Sequence, residues 1–548
     1  MELGIDIGGT FTDFVVKDPS RSELITFKIL STPADPSQAV ITGLRRLGLH
    51  PSPASQAARI IHGSTVATNA LLERKGAPTA LVTTLGFADI LEIGRQNRPD
   101  LYDLQSQPPP PLVSSDGRFE VQERISRKGT VLQALDLNEL PALTNTLQER
   151  KYHSVAICFL FSFLHPEHEI MIAKALRKAG FFVSASHEVA PEYREYERMS
   201  TTVINSYVSP VLDRYLAQLE AAIKPETPES PQLALQIMQS NGGILSTSEA
   251  RRFGVRCILS GPAGGVVGCQ HIAKMCKHPG FAQRVITFDM GGTSTDVSLI
   301  NGSPALTNEA TIGGLPIRLP VLDIHTIGSG GGSIAWVDAG GALRVGPQSA
   351  GADPGPACYG LGDPERPEQM LPTVTDANLL LGRLLPEYFL DGSLPLHPER
   401  AELAIGNLGE KLGLDSIRTA LGMIAVADAH MERALRLVSV ERGHDPQQFT
   451  LLSFGGAGGL HASNLAHKLG IPQVLIPPYA STLSALGMLA AAVEKDYTLT
   501  VMLPGTANND AVESAFQPLL KRASEDLLNE GIVHKDQVFS RSLEMRYA

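Results

Sequence analysis

Short apolar runs alternate along this chain with longer stretches in which apolar residues recur every three or four positions. The short runs predict strands, among them residues 79–84 and 155–162, and the longer stretches predict helices. The clearest helix is predicted at residues 416–440, where alanine, isoleucine, methionine and valine side chains share one face. This alternation of strands and helices predicts an α/β protein.

The chain is too long for a single hydrophobic core, because 548 residues exceed the size at which such cores stop growing. A long helix is predicted at residues 195–223, and the polar, proline-rich segment 224–231 is typical of a loop. We therefore place the main domain boundary near residue 195. Beyond it, residues 255–273 and 449–470 are each predicted to form a strand, a glycine-rich turn and a helix.

Composition excludes several classes of protein. The net charge of −11 and the lack of a basic block argue against nucleic-acid binding. The five cysteines form no Cys-x-x-Cys pair, so a reducing cytoplasmic location is expected rather than a disulfide framework or structural zinc. No signal peptide is recognised, and the longest apolar runs are too short to span a membrane.

One eight-residue pattern, Asp-x-Gly-Gly-Thr-x-Thr-Asp, occurs twice, in LGIDIGGTFTDFVV (3–16) and ITFDMGGTSTDVSLI (286–300). Each copy predicts two strands joined by a glycine turn, in which backbone N–H groups can approach a phosphate closely. The carboxylates would repel phosphate unless Mg²⁺ lies between them. A plain β-hairpin is the alternative for one copy, but two complete copies favour phosphate binding. Neither copy is a Walker P-loop.

The paired pattern resembles the two phosphate motifs of the actin, sugar kinase and acetate kinase superfamily. That resemblance implies two ribonuclease H-like domains that face each other across a nucleotide cleft, each contributing one hairpin. It also implies a third glycine loop for the adenosine, and the segment SFGGAGGLHA (453–462) is suitably placed between a predicted strand and helix.

Further stretches resemble the hydantoinase A / 5-oxoprolinase family along nearly the whole chain. They are HGSTVATNALLERKG (62–76), SNGGILS (240–246), SGPAGGVVG (260–268), TIGSGGGSIAWVD (326–338), VGPQSAGADPGPACYG (345–360), PTVTDANLLLGRL (372–384) and VERGHDP (440–446). The resemblance implies an ATP- and Mg²⁺-dependent hydrolase subunit that phosphorylates a cyclic amide, such as a hydantoin, 5-oxoproline or a lactam, so that its ring opens. The alternative is the ATP-hydrolysing subunit of an acetone or acetophenone carboxylase, which acts on a ketone.

Partners and domains follow from the same resemblance. It implies a hetero-oligomer with a hydantoinase B-like subunit and no membrane or nucleic-acid partner. Residues 1–195 would be the N-terminal domain and residues 196–500 the hydantoinase A-type domain. Residues 501–548 would begin an incomplete C-terminal domain, since FSRSLEMRYA (539–548) resembles its opening strand. A nucleotide-switched assembly protein remains a different class, whereas a hexose kinase is disfavoured because its zinc and Glu-x-Gly-His motifs are missing.

The resemblance also assigns roles to individual residues. Asp6 and Asp289 would organise Mg²⁺, while Asp13 and Asp296 would position a water or substrate, or simply pin the hairpins. The expected phosphate ligands are Gly8, Gly9, Thr10, Thr12, Gly291, Gly292 and Thr293. The residues expected to border the adenosine are Gly455, Gly456, Gly458 and Gly459, with help from Gly328, Gly330 and Gly331.

Four other residues carry weaker expectations. His62 could contact substrate, although a lone histidine before a helix more often has a capping or packing role. Asp353, in a proline-rich loop, could face the cleft. Asp323 and His325 alternate along a strand, but two ligands are too few to indicate a metal site. Cys358 lacks an identifiable base and is expected to be structural.

Overall fold

The computed structural model describes the chain except for residues 22, 33–34, 48–58, 98–104, 106–107, 225–233, 279–282, 364–365, 367–369, 393 and 546–548. Most of the predicted loop 224–231 therefore lies outside the described residues. Strands and helices are mixed throughout the remainder, which confirms the α/β prediction. No helix within the described ranges is both long enough and apolar enough to cross a membrane.

The first sheet has six strands within the described part of the chain. In spatial order they are Ile244–Ser246, Ala234–Met238, Arg59–Gly63, Glu2–Ile7, Phe11–Lys17 and Ile25–Leu30. The last three pair with one another in antiparallel fashion, whereas Arg59–Gly63 pairs in parallel with both Glu2–Ile7 and Ala234–Met238. This sheet contains strands from both sides of residue 195, so the proposed boundary there separates segments of sequence that share one sheet.

The second sheet repeats this arrangement. Its described strands are, in order, Ser303–Pro304, Thr295–Asn301, Arg284–Met290, Thr450–Phe454 and Gln473–Leu475, with Ile324–Ile327 also paired to Thr295–Asn301. Again an antiparallel hairpin is followed by parallel strands. The duplicated sequence pattern thus lies at equivalent places in two similar sheets, as the resemblance implied.

A third sheet is parallel and consists, in the described chain, of Phe182–Ala185, Ser154–Cys158, Thr79–Thr84 and Arg118–Val121. The strand predicted at 155–162 is therefore shorter than expected. The remaining strands form small two-stranded sheets: Leu306–Thr307 with Val321–Leu322, Ala310–Ile312 with Leu315–Ile317, Ser333–Val337 with Leu343–Ser349, and Arg124–Ile125 with Val131–Gln133.

Helices cover the sheets and connect them. They are Pro36–Arg46, Val66–Leu72, Ile90–Ile93, Leu140–Glu149, Glu167–Lys178, Ser186–Val189, Glu195–Ile223, Thr247–Arg252, Ser260–Met275, Val374–Leu380, Pro398–Leu412, Ser416–Val438, Gly458–Leu469, Leu483–Ala490 and Asn509–Asn529. The helix predicted at 195–223 is confirmed with the same bounds. The predicted apolar face of Ser416–Val438 is buried, because it packs on the core of the second sheet.

One strand prediction is wrong. Residues 254–257 form a 3-10 turn, and the helix Ser260–Met275 begins two residues later, so its glycines lie within a helix rather than in a turn. A Cβ on Gly264 would lie 2.8 Å from the Ser484 carbonyl oxygen, and one on Gly487 would overlap Gly264. These glycines therefore allow Ser260–Met275 and Leu483–Ala490 to pack closely together.

The C-terminal strand is also not found. Residues 539–545 have no regular secondary structure, because no described strand pairs with them, and 546–548 lie outside the described residues. The division into domains at 195 and 500 remains a prediction.

Candidate functional site

The two hairpins share the same internal geometry. Asp6 lies directly opposite Asp13 in the first hairpin, and Asp289 lies directly opposite Asp296 in the second. Opposite residues of a hairpin project from the same face of the sheet, so each hairpin presents two carboxylates together. The turns match as well: Gly8 N donates to Phe11 O at 2.9 Å, and Gly291 N donates to Ser294 O at 3.0 Å.

The tips of the hairpins meet. A Cβ built on Gly292 would lie 3.0 Å from Thr10 Oγ1, and one built on Gly9 would lie 3.9 Å from Thr293 Oγ1. Gly9, Gly292 and Thr293, at the tips, are exposed. Two turns that are far apart in sequence thus lie side by side, close enough for one polyphosphate to contact both.

Burial raises the pKa of all four aspartates, and neighbouring aspartates raise those of Asp6 and Asp289 further. Burial, reinforced by the negative charge of Asp13, raises the pKa of Asp6 to about 7. Burial and then Asp296, Asp6 and Asp13 raise the pKa of Asp289 well above its usual value, and burial raises the pKa of Asp296 to about 6. Buried carboxylates that repel each other favour a cation between them.

Asp6 supplies the most direct indication of a cation. Its Oδ1 atom is buried and has no hydrogen-bond partner among the described residues, an arrangement that costs free energy unless a ligand satisfies it. No group of three or more His, Cys, Asp or Glu side chains in the described chain could hold a metal. Two carboxylates completed by waters and phosphate oxygens are, however, the usual environment of Mg²⁺. The residues present therefore fit Mg²⁺ carried by a nucleotide.

The second carboxylate of each hairpin has a local partner. Lys28 Nζ lies 2.7 Å from Asp13 Oδ1, and Thr326 Oγ1 donates to Asp296 Oδ1 at 2.5 Å. Lys28 was not identified from the sequence. The available signal was its position in the neighbouring strand Ile25–Leu30, where it lies directly opposite Asp13.

The loop 328–332 holds the second hairpin. Gly331 N donates to Gly291 O at 2.9 Å, and Gly332 N donates to Gly292 O at 2.6 Å. A Cβ on Gly330 would lie 2.8 Å from the backbone of Gly292. This loop therefore supports the turn of the second hairpin through backbone contacts, while Gly328 packs beside Pro347.

The glycines of the third loop divide into two kinds. Gly455 has a φ of +78° and a Cβ there would overlap Asp289 Oδ1, while a Cβ on Gly458 would lie 2.8 Å from Ser453 Oγ. Those two glycines are needed for close packing against the strand that carries Asp289. Gly456 and Gly459 are exposed, and a Cβ on Gly456 would meet nothing within 4 Å. Of this loop, Gly456 and Gly459 are the glycines whose open side remains available to an adenosine.

Two candidate residues lie in the core instead of the cleft. Thr12 is fully buried and its Oγ1 is 3.0 Å from Ser31 Oγ, which donates to Gly8 O at 2.8 Å. Because side chains alternate along a strand, Thr12 faces away from Asp13, and the expectation that it binds phosphate is corrected to support of the turn. His62 is also fully buried, with Nε2 2.7 Å from Tyr215 Oη and Nδ1 3.2 Å from Ile5 O. Both of its ring nitrogens are used, so it has the packing role.

The remaining candidates lie away from the hairpin tips or have structural partners. Asp353 is exposed, and its role at the cleft stays a prediction. Cys358 is buried, its backbone N–H donates to Asp376 at 2.8 Å, and burial raises the pKa of its thiol. Asp323 forms a bidentate ion pair with Arg442 of the 440–446 stretch. This pairing leaves Asp323 a structural role.

Comparison with known proteins adds a second line of information. Two protein-family models match the chain. The model of the hydantoinase/oxoprolinase N-terminal region matches residues 2–180, and the model of the hydantoinase/oxoprolinase family matches residues 198–497. The caprolactamase subunit alpha of Pseudomonas jessenii is 38% identical over 563 residues, covering 100% of this chain and 78% of that protein. The 5-oxoprolinase of Saccharomyces cerevisiae is 35% identical over 606 residues, covering 100% of this chain but only 45% of its own length.

Solved structures agree with these matches. The crystal structure of the ATP-dependent caprolactamase from Pseudomonas jessenii superposes with a TM-score of 0.83 at 36% identity, covering 97% of this chain and 77% of that one. A nucleotide-free acetone carboxylase superposes with a TM-score of 0.79 at 27% identity, covering 98% and 78%. The predicted fold class is therefore confirmed over nearly the whole chain.

Proposed function

The chain belongs to the hydantoinase/oxoprolinase family, and we propose that it is the ATP-dependent subunit of a hydrolase that phosphorylates the amide oxygen of a cyclic amide. The observation that carries the proposal is the meeting of the two hairpin tips, with Gly292 against Thr10 and Gly9 beside Thr293. Two adjacent phosphate-type turns with four carboxylates beside them are suited to Mg²⁺ and a triphosphate.

Each hairpin contributes the same set of groups. Asp6 and Asp289 hold Mg²⁺, directly or through water, and Mg²⁺ supplies charge neutralisation for the phosphates. Phosphate oxygens are held by the backbone N–H groups of Gly9, Thr10, Gly292 and Thr293, since the N–H groups of Gly8 and Gly291 close the two turns. Asp13 and Asp296 orient the attacking oxygen at the terminal phosphate, and their partners Lys28 and Thr326 fix the two carboxylates in place.

The chemical advantage of this arrangement is activation of a poor electrophile. An amide oxygen is a poor leaving group, and its carbon resists attack by water. When the amide oxygen forms a bond to the terminal phosphorus, ADP leaves and the adjacent carbon becomes reactive. Water then adds to that carbon, and the ring C–N bond breaks as the nitrogen takes up a proton, which leaves an acyl phosphate. A second water cleaves the acyl phosphate and releases the carboxylate and inorganic phosphate. Alignment and electrostatic stabilisation are the main demands on the protein.

Cyclic amides are favoured over ketones as the substrate class. The relative with the higher structural similarity is named a caprolactamase, and another sequence relative is a 5-oxoprolinase. Acetone carboxylase is less similar in both identity and TM-score. The ring itself, whether a hydantoin, 5-oxoproline or a lactam, is left to experiment.

A second subunit is part of the proposal. The name caprolactamase subunit alpha supports a partner, and a hydantoinase B-like subunit would complete the hydrolysis as a hetero-oligomer. We also expect the protein to work in the cytoplasm, since its chemistry draws on ATP.

The test measures phosphate release from ATP with the chain alone and with its co-expressed partner. A panel of hydantoin, 5-oxoproline and lactams of increasing ring size is compared with acetone and acetophenone plus bicarbonate. Stimulation by one or more cyclic amides supports the hydrolase. Stimulation by ketones with bicarbonate alone would transfer the chain to the carboxylase alternative, and ATP-dependent polymerisation without any small substrate would indicate an assembly protein.

A further inference from the structure

Lys28 connects two parts of the proposed site that are far apart in sequence. Its side chain is only 19% exposed, and its Nζ lies 2.7 Å from Asp13 Oδ1. The same ammonium donates to Ser481 O at 2.6 Å. Lys28 therefore bonds both a carboxylate of the first hairpin and the backbone of a turn 453 residues further along the chain.

That turn also holds the glycine loop. Residues 480–482 form a 3-10 turn, and Ala480 O accepts a hydrogen bond from Gly455 N at 3.1 Å. Gly455 in turn lies against Asp289, because a Cβ on it would overlap Asp289 Oδ1. A continuous set of contacts thus leads from Asp13 through Lys28 and the turn to the glycine loop and the second hairpin.

The turn lies between elements of both sheets. It follows the strand Gln473–Leu475 of the second sheet and precedes the helix Leu483–Ala490. This helix packs so closely on the first sheet that a Cβ on Gly4 would overlap the Ala485 carbonyl, and Met488 lies beside Gly63. A displacement of the turn would therefore move the glycine loop relative to the first hairpin.

We propose that Lys28 is a positioning residue that holds the first hairpin and the glycine loop at a fixed separation, so that one nucleotide can reach both. This inference rests on the proposed nucleotide site and adds to it a coupling between the two halves. Lys28 acts through Asp13 and the Ser481 carbonyl. Its removal leaves Asp13 without its cation among three other aspartates, and leaves the Ser481 carbonyl without that donor.

The test compares Lys28→Met with Lys28→Arg, which keeps the charge. The matched control is Lys17→Met, because Lys17 also pairs with an acid in the first hairpin, Glu2 at 3.3 Å, but is 64% exposed. Calorimetry measures the affinity for Mg·ADP, phosphate release gives kcat and KM for ATP, and thermal unfolding without nucleotide shows that each variant is folded.

We expect Lys28→Met to weaken Mg·ADP binding and to lower kcat by about tenfold each, as loss of a charged hydrogen-bond partner usually does. Lys28→Arg should recover most of both, and Lys17→Met should match the parent. If folded Lys28→Met binds Mg·ADP and turns over ATP like Lys17→Met, the inference is wrong.

A double-mutant cycle covers the case in which Lys28→Met folds poorly. In an Asp13→Asn background, where the carboxylate charge is already absent, Lys28→Gln should cause a much smaller further loss of kcat than it does in the parent. Equal losses in both backgrounds would contradict positioning through Asp13. Failure of the parent itself to bind Mg·ADP would instead refute the proposed function, and the inference with it.

Discussion

Replacement of Asp289 by asparagine separates the chemistry of the site from its stability. Asp289 Oδ1 lies against Gly455, where an added Cβ would overlap it, and asparagine has nearly the same shape as aspartate. Burial and three neighbouring aspartates raise its pKa well above the usual value, so the fold favours the uncharged form. Asp289→Asn should therefore preserve the fold.

The magnitude follows from the geometry of the hairpin. Asp289 and Asp296 are directly opposite, and two full charges at the roughly 5 Å typical of opposite side chains repel by about 3 kcal/mol at an effective dielectric constant of about 20. Because the raised pKa values of both carboxyls relieve part of this repulsion, we expect Asp289→Asn to stabilise the nucleotide-free protein by about 1–2 kcal/mol at pH 8. The gain should disappear at pH 4, where the parent carboxyls are protonated as well.

Activity should change in the opposite direction. An amide cannot supply the negative charge that Mg²⁺ requires, so ATP turnover should fall at least about hundredfold, as for the loss of a group that stabilises transition-state charge. Phosphate release measures the turnover, and urea unfolding at the two pH values measures the stability. Asp415→Asn is the control, because Asp415 caps an exposed helix end and asparagine caps equally well. Parent-like turnover by Asp289→Asn would refute the reasoning, and so would a large loss of stability at pH 8.

Three further predictions concern neighbouring residues. Gly455→Ala should lower the free energy of unfolding, measured in urea, by more than about 2 kcal/mol, because the φ of Gly455 is +78° and a Cβ there would overlap Asp289. Gly456→Ala, whose Cβ would meet nothing within 4 Å, should change that free energy by no more than about 0.5 kcal/mol. Equal effects of the two substitutions would contradict the different roles assigned to the two glycines. The pKa of Asp6 is about 7 in the folded protein and ordinarily 3.8, so the folded state binds the proton more tightly than the unfolded state. The metal-free protein should therefore lose stability as pH rises from about 4 through 7. Urea unfolding at several pH values should show a smaller loss for Asp6→Asn than for the parent. Thr12→Val should lower the free energy of unfolding by about 1 kcal/mol, because the hydrogen bond to Ser31 is lost, and calorimetry should show an unchanged affinity for Mg·ADP. A tenfold weaker affinity would instead indicate that Thr12 binds phosphate.

The hairpins were predictable because their information is local. The pattern Asp-x-Gly-Gly-Thr-x-Thr-Asp fixes two strands, a tight turn and the pairing of its two aspartates, and the duplicate implies a second sheet of the same kind. Strand alternation could also have removed Thr12 from the phosphate ligands, since neighbours in a strand face opposite sides. Thr12 is expected to bind phosphate only when its hydroxyl group is considered without its position in the strand.

Other features depend on contacts between distant segments. The glycines at 264 and 265 indicate a turn when read locally, yet they lie in a helix because Leu483–Ala490 packs against them. Nothing near Lys28 in the sequence indicates that Ser481 accepts its hydrogen bond. Strands Ala234–Met238 and Ile244–Ser246 complete the first sheet although they follow the long helix Glu195–Ile223, so sheet membership was not accessible from the order of elements.

The central claim, that the two hairpins grip one nucleotide, is tested most directly by a structure of the protein bound to Mg²⁺ and an ATP analogue whose β–γ bridge cannot be cleaved. We predict a single triphosphate with oxygens within hydrogen-bond distance of the backbone of both residues 8–10 and residues 291–293, and Mg²⁺ on the side of Asp6 and Asp289. A nucleotide that contacts one hairpin alone, or that binds elsewhere on the protein, would contradict the account.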